Sequence, residues 1–308
     1  MELLVEKWRP KDLDDVVGND DTIETLKLIL NSNEMPHLLF TGPPGTGKTT
    51  CAKIIAQKML GQDIKDALLE LNASDDRGID VVRNQIKSFS QKKTKLKDTQ
   101  FKIIILDEAD SMTTAAQQAM RRVMEVNSKD CRFILICNNF TKIFEPIQSR
   151  CAVLRFERIP NEQILKRLKF ITESENIKVS TKGLEMVIEL SDGDVRQALN
   201  ILQGCNLNRT LDEKEILQIT GEPSPKIVEE IIRLLMNKEL DKALSVFNKL
   251  WERKYDPSDI ISSFFKISKR MNNYELLKIV GITHVKIIEG VNTKLQFYSL
   301  FSDILDLS

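Results

Sequence analysis

The sequence has little that could hold a metal or a disulfide framework. Its 308 residues include only two histidines, His37 and His284. Its five cysteines (Cys51, Cys131, Cys137, Cys151 and Cys205) form no C-x-x-C pair. A zinc framework is thereby excluded, and an odd count suits free thiols in a reducing compartment. No apolar run approaches 18 residues, so no segment spans a bilayer as a helix. The first residues, MELLVEKWRP, carry acids and no secretory pattern. A soluble, intracellular protein is expected. Net charge is also missing: 45 basic side chains balance 45 acidic ones. A nucleic-acid partner would therefore need a local basic patch.

What is present fits a globular chain of two or three domains, with 42% apolar residues for its cores and 29% charged residues. Up to about Phe156, short β-rich runs alternate with helical patterns. HLLF (37–40), IIIL (103–106), FILIC (133–137) and AVLRF (152–156) read as buried strands. The alternation predicts an α/β fold, an open parallel sheet with helices on both faces. After RFERIP the strand signal ends, and NEQILKRLKFITESENI, TKGLEMVIEL and DVRQALNILQGC read as helices. TGEPSP (220–225) is the linker candidate, and the chain from Lys226 onward reads as wholly helical.

GPPGTGKTT (Gly42–Thr50) follows the strand HLLF and precedes a helix. It fits the phosphate-loop pattern G-x-x-x-x-G-K-[ST], with Gly42, Pro43, Pro44, Gly45, Thr46, Gly47, Lys48, Thr49 and Thr50 in place. Glycines let backbone N–H groups close around phosphate oxygens. The helix N-terminus adds positive potential, Lys48 reaches the β- and γ-phosphates, and the Thr49 hydroxyl ligates Mg²⁺. Downstream, KIIILDEADSM ends a strand in two carboxylates, the Walker B arrangement. Asp107 would hold Mg²⁺ and Glu108 would polarise the attacking water. The bland alternatives are a Gly/Pro turn and an acidic helix start.

Two more polar residues suit a γ-phosphate. Asn138 leaves the strand FILIC, although loop capping would equally use an Asn there. Arg196 lies near the start of a helix that Ser191 or Asp194 can cap, where the macrodipole disfavours a cation unless an anion is near. A local pair with Asp192 or Asp194 is its alternative. Between Arg83 and Lys102 there are seven basic residues and one acid, Asp98, a local net charge of +6. Arg83 and Lys87 share a helix side opposite Ile79, Val82, Ile86 and Phe89, and the run from Lys92 to Lys97 reads as a solvated face.

VEKWRP, GPPGTGKTT, ELNASDDRGIDVVR, IIILDEADSM, AQQAMRR, EPIQSRCAVLRF and GDVRQALN occur in this order. Together they resemble the AAA+ clamp-loader family, and within it the eukaryotic replication factor C small subunits. QSRCAVLRF is most similar to the one numbered 2 in the human naming. The resemblance implies a P-loop NTPase core (1–157), a helical lid (158–221) and an all-helical collar (222–308) that joins subunits into a ring. It implies ATP and Mg²⁺ as cofactors, with other subunits, a sliding clamp and primer–template DNA as partners, no membrane, and a nuclear location. Val5 and Arg9, with Val17 and Gly18, would cradle the adenine. Asn138 and Arg196 become the two sensors, and Arg150 in QSRC resembles an arginine finger for the neighbouring subunit. Arg83 and Lys87 would track DNA, and Met112 to Ala116 would face the clamp, although Met112, Ala116, Met120 and Val123 also have core spacing. Arg121 would couple DNA sensing to a neighbour. Trp8 stands where the family usually has Tyr. The missing helicase motifs argue against an unwinding enzyme. A hexameric AAA+ remodeller or branch-migration motor would need pore loops, which have no aromatic signature here. A catalytically silent ring subunit is disfavoured by intact Lys48, Asp107 and Glu108.

Overall fold

The computed structural model describes residues 3–32, 34–74, 82–92, 101–204 and 210–307, with backbone alone at Val82 and Arg83. Two compact units divide at Thr210 and Leu211. No helix among the described residues is long and apolar enough to cross a membrane.

The first unit is organised by a five-stranded sheet: β1 (His37–Thr41), β2 (Leu68–Asn72), β3 (Lys102–Asp107), β4 (Cys131–Cys137) and β5 (Cys151–Arg155). Their order is β2-β3-β4-β1-β5, and every pairing is parallel. Alternate side chains point to opposite faces, so the sheet serves two cores. Leu38, Phe40, Ile103, Ile105, Ile134 and Ile136 join one, with the helices Asp20–Ser32 and Lys48–Leu60 over them. Leu39, Ile104, Leu106, Phe133, Leu135 and Cys137 join the other, under the helix Thr114–Val126. Helices on both faces are what a doubly buried parallel sheet requires.

Two details depart from the sequence reading. β2 was not among the expected strands: Leu and Glu in LLELN favour a helix and mask the strand pattern. β5 was expected to be a buried strand, but it lies at the sheet edge and its residues are only partly covered. After the sheet, the helices Asn161–Ser174, Thr181–Ser191 and Val195–Gly204 complete the unit.

The second unit is helical throughout its described residues: Glu213–Thr220, Pro225–Met236, Leu240–Trp251, Pro257–Arg270, Tyr274–Ile288 and Lys294–Leu305. Phe247, Phe264, Phe297 and Phe301 form its aromatic centre, with edge-on or tilted neighbours. In TGEPSP, Gly221 takes a left-handed backbone that ends one helix, and Pro225 begins the next.

Candidate functional site

Parallel strands bring their C-terminal ends to one edge of the sheet. Because β4 lies between β1 and β3, the loops after these three strands converge there. After β1 the chain turns through Gly42–Gly47 into the helix Lys48–Leu60. Gly42 sits at φ 149°, where an added Cβ would lie 2.0 Å from the carbonyl oxygen of Phe156. Gly45, at φ 70°, is approached as closely by the Asp194 carboxylate, 1.7 Å from where a Cβ would stand. Backbone excludes a side chain at Gly42, whereas at Gly45 the Asp194 carboxylate could turn aside and it is the left-handed φ that favours glycine. The Thr46 hydroxyl donates to the Pro43 carbonyl at 2.9 Å and closes the loop. Lys48 is buried, and its ammonium donates to the carbonyls of Gly42 (2.7 Å) and Pro43 (2.6 Å). Burial lowers its pKa, against the attraction of Asp107.

At the end of β3, Asp107 accepts a hydrogen bond from the Thr49 hydroxyl at 2.8 Å. Its other oxygen accepts the Glu108 N–H at 2.9 Å. Glu108 itself takes a left-handed backbone, φ 52° and ψ 39°, and is exposed. That conformation costs a non-glycine residue about 1–2 kcal/mol. It turns the chain off the strand and leaves the carboxylate on the cleft wall.

Asn138 leaves β4, one strand from Asp107, and lines the same cleft. The turn is capped by its neighbour Asn139, whose side chain accepts the Thr141 N–H at 3.0 Å. Arg196 also lines the cleft. Asp194 caps its helix by accepting the Gln197 N–H at 3.1 Å, while Ser191 bonds back to the Ile188 carbonyl. Asp192 is held by Arg158. The local pair that could have explained Arg196 is therefore not made.

The other end of the cleft is largely apolar, with Trp8 and two arginines, Arg9 and Arg167, in its wall. Val5, Arg9 and Val17 line it, with Pro44, Gly45, Thr46, Gly47, Lys48, Thr49 and Thr50 along the side of the glycine-rich loop. Gly18 stands behind the wall, where a Cβ would lie 3.2 Å from Ile159. Gly42 and Pro43 act through their carbonyls on Lys48. Trp8, Pro10, Val16, Ile159, Arg167, Val195 and Leu199 complete the cleft. Of these, Trp8 and Pro10 belong to the VEKWRP motif. Helical spacing marks Val195 and Leu199 as apolar-face residues without saying what that face meets.

Arg150 is not in the cleft. It immediately precedes β5, and its guanidinium is held by the Pro146 carbonyl and by Glu125, which also binds Arg121 at 2.9 Å. The two cations keep the Glu125 carboxyl below its usual range. Lys87 is exposed at the start of the short helix Lys87–Gln91; the Arg83 side chain, Ile79 and 93–98 lie outside the described residues. Of Met112 to Ala116, expected to face a clamp, Thr113, Thr114 and Ala115 are exposed, Met112 is half-buried and Ala116 is core, as is Met120 further along the helix.

Two family models match the chain. The AAA model, for the ATPase family associated with various cellular activities, covers residues 38–158, and the replication factor C C-terminal domain covers 223–303. Replication factor C subunit 4 of Encephalitozoon cuniculi is 60% identical over all of this chain and 98% of its own length. Replication factor C subunit 2 of Arabidopsis thaliana is 44% identical, covering 97% of this chain and 92% of its own. The numbers 2 and 4 thus both occur among the relatives. Among solved structures, the RuvB Holliday junction branch migration motor of Thermotoga maritima superposes with a TM-score of 0.57 at 18% identity, over 74% of this chain and 80% of that one. That likeness concerns the fold alone.

Proposed function

The chain belongs to the replication factor C small-subunit family, and from that membership we propose how its residues serve an ATP-hydrolysing subunit of a sliding-clamp loader. ATP, clamp and primer–template DNA are ligands of one assembly, and their coupling free energies open the clamp and then release it closed on DNA. The observation that carries the reading is one cleft lined by Lys48, Thr49, Asp107, Glu108, Asn138 and Arg196. A branch-migration motor is not favoured, because the relatives matched along the whole chain are replication factor C subunits and the motor's likeness is one of fold.

Residues 1–157 form the ATPase core, 158–221 the lid and 222–308 the collar. Lys48 exchanges the loop carbonyls for β- and γ-phosphate oxygens, beside N–H groups of the loop and helix start. The Thr49 hydroxyl and Asp107 carboxylate, 2.8 Å apart, are hard oxygen donors that fit Mg²⁺. When bound, that ion supplies charge neutralisation to the phosphates. Glu108 orients and polarises the attacking water. Asn138 and Arg196 contact the γ-phosphate side, and Arg150 serves the neighbouring subunit's site. Arg83 and Lys87 hold the DNA backbone without reading its sequence. In the collar, Ile282, Val285 and Ile288 are exposed on one helix and Leu295 on the next, which supports contact with other subunits. The place of action is the nucleus.

The test is a pair of substitutions measured in the assembled complex. Glu108→Gln should retain ATP binding and slow single-turnover hydrolysis at this site by roughly 10²–10⁴. Lys48→Ala should weaken binding itself, since a charge partner of the phosphates is lost. Hydrolysis by Glu108→Gln at the wild-type rate would sink the assignment.

A further inference from the structure

Two arginines stand at the base end of the cleft, and they differ in their partners. Arg9 is paired with Glu6 at 2.7 Å. Arg167, on the helix Asn161–Ser174, donates to the main-chain oxygen of Trp8 at 3.1 Å. Its guanidinium lies 6.0 Å from the centre of the Trp8 ring and 5.9 Å from that of Phe170. Among the described residues no carboxylate forms an ion pair with it; Asp15 attracts it only at longer range. Burial outweighs that attraction and lowers its pKa.

A guanidinium carries five N–H donors in a fixed fork. The ring faces attract its charge but accept little from its N–H groups. Removing a cation from water without acceptors for its donors is unfavourable. Arg167 nevertheless lines the cleft beside Trp8, within reach of the space a nucleoside would fill.

The packing suits a fixed donor. Trp8 is locked by a hydrogen bond from its indole N–H to Glu175 at 2.8 Å and by edge-on contact with Phe170 at 5.5 Å. Arg167 is fastened to this wall. The cation whose charge reaches Lys48 is a different one, Arg196.

We infer that Arg167 is a nucleotide-binding residue that donates hydrogen bonds to acceptor atoms of the nucleoside half, on the base or the ribose, and not to the phosphates. The inference rests on the ATP reading above and deepens it. Adenine offers ring nitrogens and ribose offers hydroxyl oxygens as acceptors. The adenine amino group is a donor, so Arg167 adds affinity without itself reading that group.

The experiment titrates the full-length chain, as wild type, Arg167→Met and Arg167→Lys, with ATP, ADP, 2′-deoxy- and 3′-deoxy-ATP and the 1-, 3- and 7-deaza analogues. Arg167→Met should weaken ATP and ADP equally, by about tenfold, a charge-assisted hydrogen bond's worth. For the analogue that lacks the accepting atom, the loss should shrink to within about twofold. Arg167→Lys should recover part of the affinity, and it carries the analogue series if the Met variant does not fold. An equal loss on every analogue would make Arg167 a peg for Trp8. A loss confined to ATP would make it a γ-phosphate contact. Either result, or no loss, overturns the inference. Lys48→Ala runs alongside: if it leaves ATP binding unchanged, the nucleotide reading fails instead.

Discussion

At the phosphate end of the cleft, Lys48, Thr49, Asp107, Glu108 and Asn138 all stand at strand ends or on the first turn of a helix packed on the sheet. The outer wall of the base end is made otherwise. The helix Leu4–Lys7 and Trp8 are fastened to the helices that follow residue 160. The Leu4 N–H donates to Gln203 at 2.8 Å, Lys7 pairs with Glu175 at 2.6 Å, and Trp8 is held by Glu175 and Arg167. Groups on one sheet keep their mutual distances, which is what a transition state requires. A wall fastened to helices can shift with them as one piece. Substitutions at the phosphate end should therefore fall on rate, and those at the base end on affinity.

The largest test of this division is Arg150→Ala. Arg150 immediately precedes β5 and is directed to Glu125 rather than to its own cleft, so its effect should be on rate and in a neighbour. An arginine finger contributes roughly 10³–10⁵ in rate. Arg150→Ala should leave its own chain's ATP affinity unchanged and lower hydrolysis in the adjacent subunit by about 10³ or more. Complexes in which only one site is competent separate the two. Loss in the subunit that bears the substitution would break the in-trans assignment.

A smaller effect is expected at the base end. Trp8→Ala should weaken ATP binding by about tenfold, since an aromatic contact and its burial disappear. The single-turnover rate at saturating ATP should stay within about twofold. Glu175→Gln should do the same more weakly, because it removes the Lys7 pair and keeps a hydrogen-bond acceptor for Trp8. A rate defect at saturating ATP in either variant would mean that the wall also sets the phosphate geometry.

The same division governs what could be read from the sequence. The phosphate end was legible because its chemistry demands particular residues at fixed spacing. Gly42 is dictated by a 2.0 Å approach of backbone and Gly45 is favoured by its left-handed φ, and Lys48 and Thr49 must follow within one loop. Strand alternation likewise exposed four of the five strands. β2 was hidden because LLELN has helix-favouring residues and a partly exposed pattern. The base end was less legible. Glu175, Gln203 and Arg167 meet the N-terminal segment across more than 150 positions, and neither periodicity nor motif spacing spans such a distance. Even Arg196 kept an alternative until Asp192 was found on Arg158.

The smallest effect belongs to DNA, and it asks which end of the cleft DNA addresses. Lys87 is exposed where the short helix Lys87–Gln91 begins, just after the fully buried Ile86. Lys102, the first residue of β3, is only 4% exposed. Its ammonium donates to the carbonyls of Phe89, at 2.8 Å, and Lys92, and lies 5.1 Å from the centre of the Phe89 ring. A cation there meets the unpaired carbonyls and negative end of the helix. The strand that starts at Lys102 ends at Asp107. The basic helix is thus tied to the first residue of the strand whose opposite end carries Asp107. Lys87→Ala should lower affinity for primer–template DNA about three- to fivefold at moderate salt, whatever the sequence. The slope of log affinity against log salt should fall by about one, the signature of one lost phosphate contact. DNA-stimulated hydrolysis should drop at limiting DNA and recover at saturation. ATP affinity without DNA should not change, because the base-end wall has no bond to this helix among the described residues. Titrations of labelled DNA at several salt concentrations, with parallel ATP titrations, decide the matter. An unchanged salt slope would return Lys87 to a solvated face. A loss of ATP affinity without DNA would show that the helix is coupled to the wall rather than to the strand.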